Sequence, residues 1–226
     1  HTQLEKDTLE IIKGVKTNKG DIFSKYVINA TALQSDEIAR MAGYDHYTVH
    51  PRKGEFYVLD LNLTYYVNRI ILPVPTKISK GKLVMPTIDG NILIGPTAKD
   101  GTDKFDKAVT REGLKEVLTE SQRLVPKVSA GDTIAQFAGL RPTRVPEGYE
   151  IKSLENPKGF ICISGIRSTG VSSSPAVAKM VRSILEEEGL KLVLKENFNP
   201  KRKGIPRFSE LSEKEKEELI KKDKRF

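Results

Sequence analysis

The stretch from Lys158 to Met180 most constrains what this chain can fold into. It reads as a short apolar, β-branched strand at Phe160–Ser164, a turn rich in glycine, serine and threonine, and then a helix. A strand of that character reads as a buried parallel strand. Gly165 and Gly170 permit tight backbone turns, and the serines 172 to 174 offer N-caps before Pro175. Bare amides and the positive end of the helix dipole then point at whatever lies over the strand's carboxyl end, a nest for an anion or an electron-rich ring. Many empty strand-to-helix turns share this glycine content, so the loop alone does not decide for a ligand.

A chain of 226 residues with 38% hydrophobic content suits one large domain or two small ones with a real core. No apolar run approaches bilayer length, and the start lacks the apolar centre of a signal peptide, which makes cytoplasmic residence the default reading. The single cysteine, Cys162, lies inside the apolar strand; it excludes an internal disulfide and reads as a core residue, and no metal site is expected. The net charge is +8, and residues 197–226 carry half of that excess, with ten Lys/Arg against six Asp/Glu. An RNA-binding strand rich in aromatics, a zinc finger and a basic zipper helix are all missing, so no nucleic-acid partner is expected and a small anion accounts for local basic residues.

Along the chain, Thr8 to Val15 and Asp21 to Ile28 read as strands around the turn Asn18-Lys19-Gly20, and Ser35 opens a short helix through Met41 that stops at Gly43. Strands follow at Glu55 to Leu61, Tyr65 to Leu72, Lys82 to Pro86 and Asn91 to Ile94, with Asp89-Gly90 as a hairpin turn, predicting a largely antiparallel sheet. Thr110 to Leu124 is an amphipathic helix, with Leu114, Val117, Leu118, Ser121 and Val125 at helical spacing and Pro126 ending it. A strand from Thr133 to Leu140 and a Pro/Gly-rich loop from Arg141 to Gly148 lead to the strand-turn-helix, which runs to about Glu188 and stops at Gly189. Ser212 to Glu215 forms a capping box ahead of a charged helix.

These pieces resemble the FAD-dependent oxidoreductases of the glycerol-3-phosphate dehydrogenase and D-amino-acid oxidase superfamily. The resemblance rests on Tyr26 to Gly43, Pro51-Arg-Lys-Gly-Glu-Phe-Tyr57, Gly139-Leu-Arg-Pro142, and Gly165-Ile-Arg-Ser-Thr-Gly-Val-Ser172; Pro86 to Ala98 is most similar to the anaerobic-type glycerol-3-phosphate dehydrogenases and their 2-hydroxyglutarate-oxidising relatives. It implies a mixed α/β (α+β) fold, with a mainly antiparallel substrate-domain sheet, helices on one side of it, and a partial Rossmann-like FAD-binding lobe. Residues 1–45 and 146–196 would form that lobe, 46–145 the substrate domain, and 197–226 a linker and charged helix. The resemblance places Asn29, Ala30, Thr31 and Ala32 near the ADP part of FAD, with Ala32 where a glycine is usual. It places Gly165, Ile166, Arg167, Ser168, Thr169, Gly170, Val171 and Ser172 beside the flavin, where amides at a helix start stabilise charge arriving at N1/O2.

By the same resemblance Arg141 meets the anionic group of the substrate, and a planar guanidinium suits a phosphate or carboxylate through paired hydrogen bonds. Arg52, Lys53, Tyr57 and Arg144 are further substrate-binding candidates. Arg167 and His50 join Arg141 as catalytic candidates, His50 as the base for the substrate hydroxyl in place of the histidine some relatives carry where this chain has Phe56. A Gly-x-Gly-x-x-Gly stretch is missing from these residues, so a fragment is expected, holding the substrate domain and one flavin edge but unable to retain FAD by itself. The complete enzyme would oxidise a small anionic secondary alcohol, with sn-glycerol 3-phosphate ahead of L-2-hydroxyglutarate. It would pass electrons to an acceptor the sequence does not identify, and it could associate peripherally with a membrane. Uncovered apolar surface would invite a homodimer. An amine or amino-acid oxidase on the same fold, and a non-catalytic basic module binding nucleic acid or acidic lipid, are the competing readings; steep salt dependence would mark the last.

Overall fold

The computed structural model describes residues 3–6, 11–60, 67–75, 81–202 and 204–224. The strand starts expected at Thr8 and Tyr65, and His1, lie outside the described residues. The chain divides into two compact units, 1–189 and 190–226.

The axis of the first unit is β5 (Thr48–Leu59), which pairs antiparallel with β9 (Thr133–Val145) from Thr48 opposite Val145 to Leu59 opposite Thr133. The other edge of β5 is shared. Its end, Tyr57 to Leu59, pairs with β7 (Ile92–Gly95), which carries β6 (Leu83–Pro86) outside it, while Arg52 and Lys53 pair with β8 (Lys99–Asp100). Between those two partners, Gly54 to Phe56 lack a strand on that side. The predicted Asp89-Gly90 turn joins β6 to β7, with the Gly90 amide donating to Thr87 O at 3.2 Å.

Helix α2 (Arg111–Leu124) covers one face of this sheet, as its apolar spacing requires. The Thr110 hydroxyl accepts from the Gly113 amide at 3.0 Å as N-cap, and Leu114, Val117 and Ser121 form the buried stripe. Val117 joins Leu59, Val67, Val84, Ile92, Ile94 and Val128 in one apolar cluster. Glu55 reaches under the first turn of the helix, where a side chain on Gly113 would put a Cβ 1.8 Å from the Glu55 carboxylate. Gly113 is thus a place of close approach rather than a weak point in the helix.

A second, smaller sheet has the order β10–β11–β4, formed by β10 (Glu150–Ser153), β11 (Phe160–Ser164) and β4 (Val27–Asn29). Strands β11 and β4 run parallel, Phe160 opposite Val27 and Cys162 opposite Asn29, so segments more than 130 residues apart become neighbours, as the resemblance implies. Helix α1 (Ser35–Met41) packs against it through Ala39 and Ala42, in a cluster with Ile12, Tyr47, Val49, Leu154, Phe160 and Cys162. Cys162 is fully buried, and burial pushes its thiol up, which keeps it protonated and unreactive. Strands β1 (Gln3–Lys6), β2 (Ile12–Thr17) and β3 (Gly20–Phe23) form a separate antiparallel meander, with the expected turn between β2 and β3. The single strand expected from Asp21 to Ile28 is therefore two, broken around Ser24, whose amide is tied to Lys13 O.

Three other expectations are corrected. The loop expected from Arg141 is strand as far as Val145, because β5 is long enough to pair with every residue and Pro51 stands opposite Pro142. Strand β10 was not anticipated in the Tyr149 to Ser153 stretch; it forms because β11 offers it an edge. Helix α3 (Gly170–Glu187) begins before the serines, with Thr169 as an N-cap that makes no side-chain bond. Pro175 is thus interior, and the Val171 carbonyl that its missing N–H would leave waiting accepts the Ser174 hydroxyl at 2.8 Å instead. In the second unit, α4 (Glu213–Lys222) carries the predicted capping box between Ser212 and Glu215.

Candidate active site

Side chains alternate across β5, and the alternation sorts the candidates. One face, turned to α2, holds Lys53, Glu55, Tyr57 and Leu59. The opposite face holds His50, Arg52 and Phe56, joined from β9 by Thr143, Arg141 and Phe137, their direct cross-strand partners. Phe56 and Phe137 stack with ring centroids 5.0 Å apart and form an aromatic floor.

Arg141 lies across the gap in the sheet beside Gly54. Its Nη2 donates to Thr97 O at 2.7 Å and to Lys53 O at 3.4 Å, and its Nε donates to Arg52 O at 3.3 Å. A Cβ on Gly54 would stand 3.1 Å from that Nη2 and 2.9 Å from Pro96, so glycine makes room for the guanidinium. Among the described residues Arg141 has only carbonyl partners and no carboxylate in contact. Burial lowers its pKa, and the positive charges of Arg52 and Arg167 lower it further, against a small opposing effect of Asp100. Of these three guanidiniums Arg141 is the one without an ion-pair partner among the described residues.

The other two are compensated. Arg52 makes a two-pronged contact with Asp100, Nε to Oδ1 at 2.6 Å and Nη2 to Oδ2 at 2.8 Å, and that bond raises the Arg52 pKa while lowering that of Asp100. The same Oδ1 lies 3.4 Å from Nε2 of His50, so one carboxylate orients both side chains. Arg167 bonds Glu147 at 2.6 Å in the loop between β9 and β10. The sequence reading does not single out Asp100 or Glu147, and it had no local signal to use, since each lies 20 or more residues from its partner.

Four candidates belong to the framework instead. Lys53 and Tyr57 fall on the helix face of β5, the first bonded to Asp106 at 2.6 Å and Ala108 O at 3.0 Å, the second packed on the apolar cluster. Arg144 is buried beside the Tyr47 ring, 4.8 Å from its centroid, and is held by Glu150 at 2.9 Å and Pro146 O at 2.6 Å. Asn29 is also buried; its amide donates to Ser35 O at 2.8 Å and accepts from the Thr31 hydroxyl at 2.7 Å. It shapes the following turn and leaves Ala30, Thr31 and Ala32 exposed. Ala32 has φ +54, so the position where a glycine was expected does adopt the left-handed conformation.

That turn leaves β4 at its carboxyl end, and the loop Gly165, Ile166, Arg167, Ser168 and Thr169 leaves β11 at the same edge of the parallel pair, the usual crest for a nucleotide-like ligand. The first turn of α3 carries no side-chain cap, and Val171 is 91% exposed. Ser172 turns its hydroxyl back to Thr169 O at 3.0 Å, so the amides of that turn are the donors on offer. Uncapped amides at the positive end of an 18-residue helix, next to a loop carrying Arg167, suit the electron-rich pyrimidine edge of a flavin.

Comparison with known proteins fixes the class: the model of the FAD dependent oxidoreductase (DAO) family matches residues 2–184, and the chain belongs to that family. Among its relatives, a glycerol 3-phosphate dehydrogenase of Caloramator mitchellensis is 43% identical over 210 residues, covering 93% of this chain and 44% of the relative. A glycerol 3-phosphate oxidase of Mycoplasma genitalium is 32% identical over 179 residues, covering 78% and 46%. The FAD-bound, dithionite-reduced L-alpha-glycerophosphate oxidase of Mycoplasma pneumoniae superposes with a TM-score of 0.77 at 29% identity, covering 88% of this chain and 52% of that one. The chain spans somewhat less than half the length of the curated relatives it matches.

Proposed function

We propose that this chain supplies the substrate-facing sheet and the flavin-edge helix of an enzyme that oxidises sn-glycerol 3-phosphate. The observation that carries the reading is Arg141, a half-buried guanidinium held in place by three carbonyl bonds and facing no carboxylate among the described residues. A buried cation left this way is costly unless an anion completes it. With Arg52 paired to Asp100 and Arg167 to Glu147, Arg141 carries the uncompensated charge, and its planar guanidinium suits the oxygens of a phosphate monoester. The glycerol 3-phosphate relatives point the same way.

In this reading Arg141 binds the phosphate through paired hydrogen bonds, while Arg52 and Arg167 are held by Asp100 and Glu147. His50, oriented by Asp100 on the same face, takes the proton from the secondary hydroxyl. The stacked Phe56 and Phe137 exclude water from one side of the carbon that loses hydride. FAD, when bound, supplies the hydride acceptor, and the amides at the start of α3 stabilise negative charge at its pyrimidine edge. Residues 30–32 line the side toward the rest of the cofactor.

Calorimetric titration of the chain with sn-glycerol 3-phosphate, L-2-hydroxyglutarate and glycerol tests the reading. The first should bind most tightly and glycerol not at all, and Arg141→Leu should weaken binding about 100-fold, or about 2.7 kcal/mol. Equal binding of glycerol and glycerol 3-phosphate, or an Arg141→Leu variant that binds like the parent, refutes it.

A further inference from the structure

We infer that Thr97, clamped by Glu55, is the positioning residue that aims Arg141 at the anion; the inference rests on the anion-binding reading of Arg141 given above. Of the three carbonyls that Arg141 touches, Thr97 O at 2.7 Å is by far the nearest, the others lying at 3.3 and 3.4 Å. Thr97 occupies the stretch beside Gly54 to Phe56 where β5 has neither β7 nor β8 as a partner, so no regular ladder fixes its carbonyl. Glu55 does so instead. The Thr97 amide donates to Glu55 O at 3.3 Å, the Thr97 hydroxyl accepts from the Glu55 amide at 2.9 Å, and the same hydroxyl donates to Glu55 Oε2 at 2.9 Å. One hydroxyl thus spends its donor and one acceptor site on a single residue, and both residues are fully buried.

The arrangement carries information across the sheet. The Glu55 carboxylate lies on the α2 face, where Oε1 also accepts from the Thr110 amide at 2.5 Å and the Thr110 hydroxyl at 2.8 Å, whereas Arg141 lies on the opposite face. No bond joins Glu55 to Arg141; Thr97 is the link, its side chain turned to one face and its carbonyl to the guanidinium on the other. A buried carboxylate is a costly way to cap a helix that Thr110 already caps. Its second oxygen has a different task, holding Thr97 in one orientation so that the guanidinium loses little freedom when the anion arrives. Among the described residues Nη1 of Arg141 makes no hydrogen bond, and it is the part of the fork left for the ligand.

The test titrates the 226-residue chain with inorganic phosphate by calorimetry, while the Arg141 Nε–H signal is followed by nitrogen-15 NMR. Thr97→Val, nearly isosteric but without the hydroxyl, should weaken phosphate at least 10-fold and broaden or shift the Arg141 signal, whereas Thr97→Ser should bind within twofold of the parent. Thr110→Val removes a different bond to Glu55 together with the α2 cap; it should lower the melting temperature and leave phosphate affinity within twofold. If Thr97→Val does not fold, Glu55→Gln takes its place, with a 3- to 10-fold weakening and the same change in the Arg141 signal expected. Parent-like phosphate affinity in Thr97→Val or its Glu55→Gln substitute, or an equal loss in Thr110→Val, overturns the inference while leaving the anion site intact. Failure of the parent chain to bind phosphate overturns the anion site itself and the inference with it.

Discussion

The two faces of β5 treat charge in opposite ways. On the face toward α2, Glu55 and Lys53 are each satisfied by named partners, Glu55 by Thr97 and Thr110 and Lys53 by Asp106 and Ala108 O. On the other face Arg52 has Asp100, but Arg141 has only carbonyls, and its pKa is lowered by burial and by neighbouring positive charge. In the proposed function the difference has a meaning: the scaffold charges are completed by the protein, and the charge that would meet the substrate is left incomplete. The contrast separates residues that sequence proximity alone groups together, since Arg52, Lys53 and Tyr57 lie within six positions of one another.

The largest effect should come from the completed face. Glu55→Ala deprives the Thr110 amide and the Thr97 hydroxyl of their acceptor inside the core, and should cost about 3 kcal/mol in urea unfolding. A loss below about 1 kcal/mol would remove the basis for calling that face scaffold. Acid should act in the same direction. Burial alone would raise the carboxyls of Asp36 and Glu55, but the bonds from Lys104 and Val49 to Asp36, and from Thr110 and Thr97 to Glu55, take both below their ordinary values of 3.8 and 4.5. The unfolded chain therefore binds protons first. The stability these groups contribute is complete above the ordinary carboxylate range and is lost as pH falls below it toward their folded values. Denaturation midpoints measured from pH 6 to pH 3 check this; a midpoint that rises on acidification contradicts the assignment.

The incomplete face should respond the other way. Arg141→Leu removes a half-buried cation that has no counter-charge in contact among the described residues, so stability should hold or rise by up to about 1 kcal/mol even as anion affinity collapses. A loss of 2 kcal/mol would make Arg141 another scaffold charge and erase the contrast. The smallest effect belongs to the turn after β4, where Ala32→Gly relieves a left-handed alanine and should add about 0.5 kcal/mol, read from the same urea curves. No gain would mean that the unfolded-state entropy of glycine offsets the relief.

Sequence alone carried the local elements a long way. The apolar strand at Phe160–Ser164, the amphipathic helix ending at Leu124, the Asp89-Gly90 turn and the Ser212 capping box all follow from chemistry within a few residues, and each forms as expected. The resemblance put the β4 and β11 segments in one lobe, and their parallel pairing is what the structure adds. What misled was position near a motif. Arg144 and Lys53 sit beside promising residues, yet one is folded against Tyr47 and Glu150 and the other faces α2.

The sequence by itself determined most of the segments that become strands and helices, since period, capping and turn chemistry are short-range properties, and its resemblance to a family supplied Arg141 and the turn before α3 as candidates. Only the tertiary structure decided which charges find a partner. Asp100 reaches Arg52 across 48 residues, Glu147 reaches Arg167 across 20, and Thr97 reaches Arg141 across 44, and none of these pairings leaves a trace in the local pattern. The physical reason is that electrostatic compensation depends on distances in space, and those are set by strand register and sheet twist after the local choices have been made.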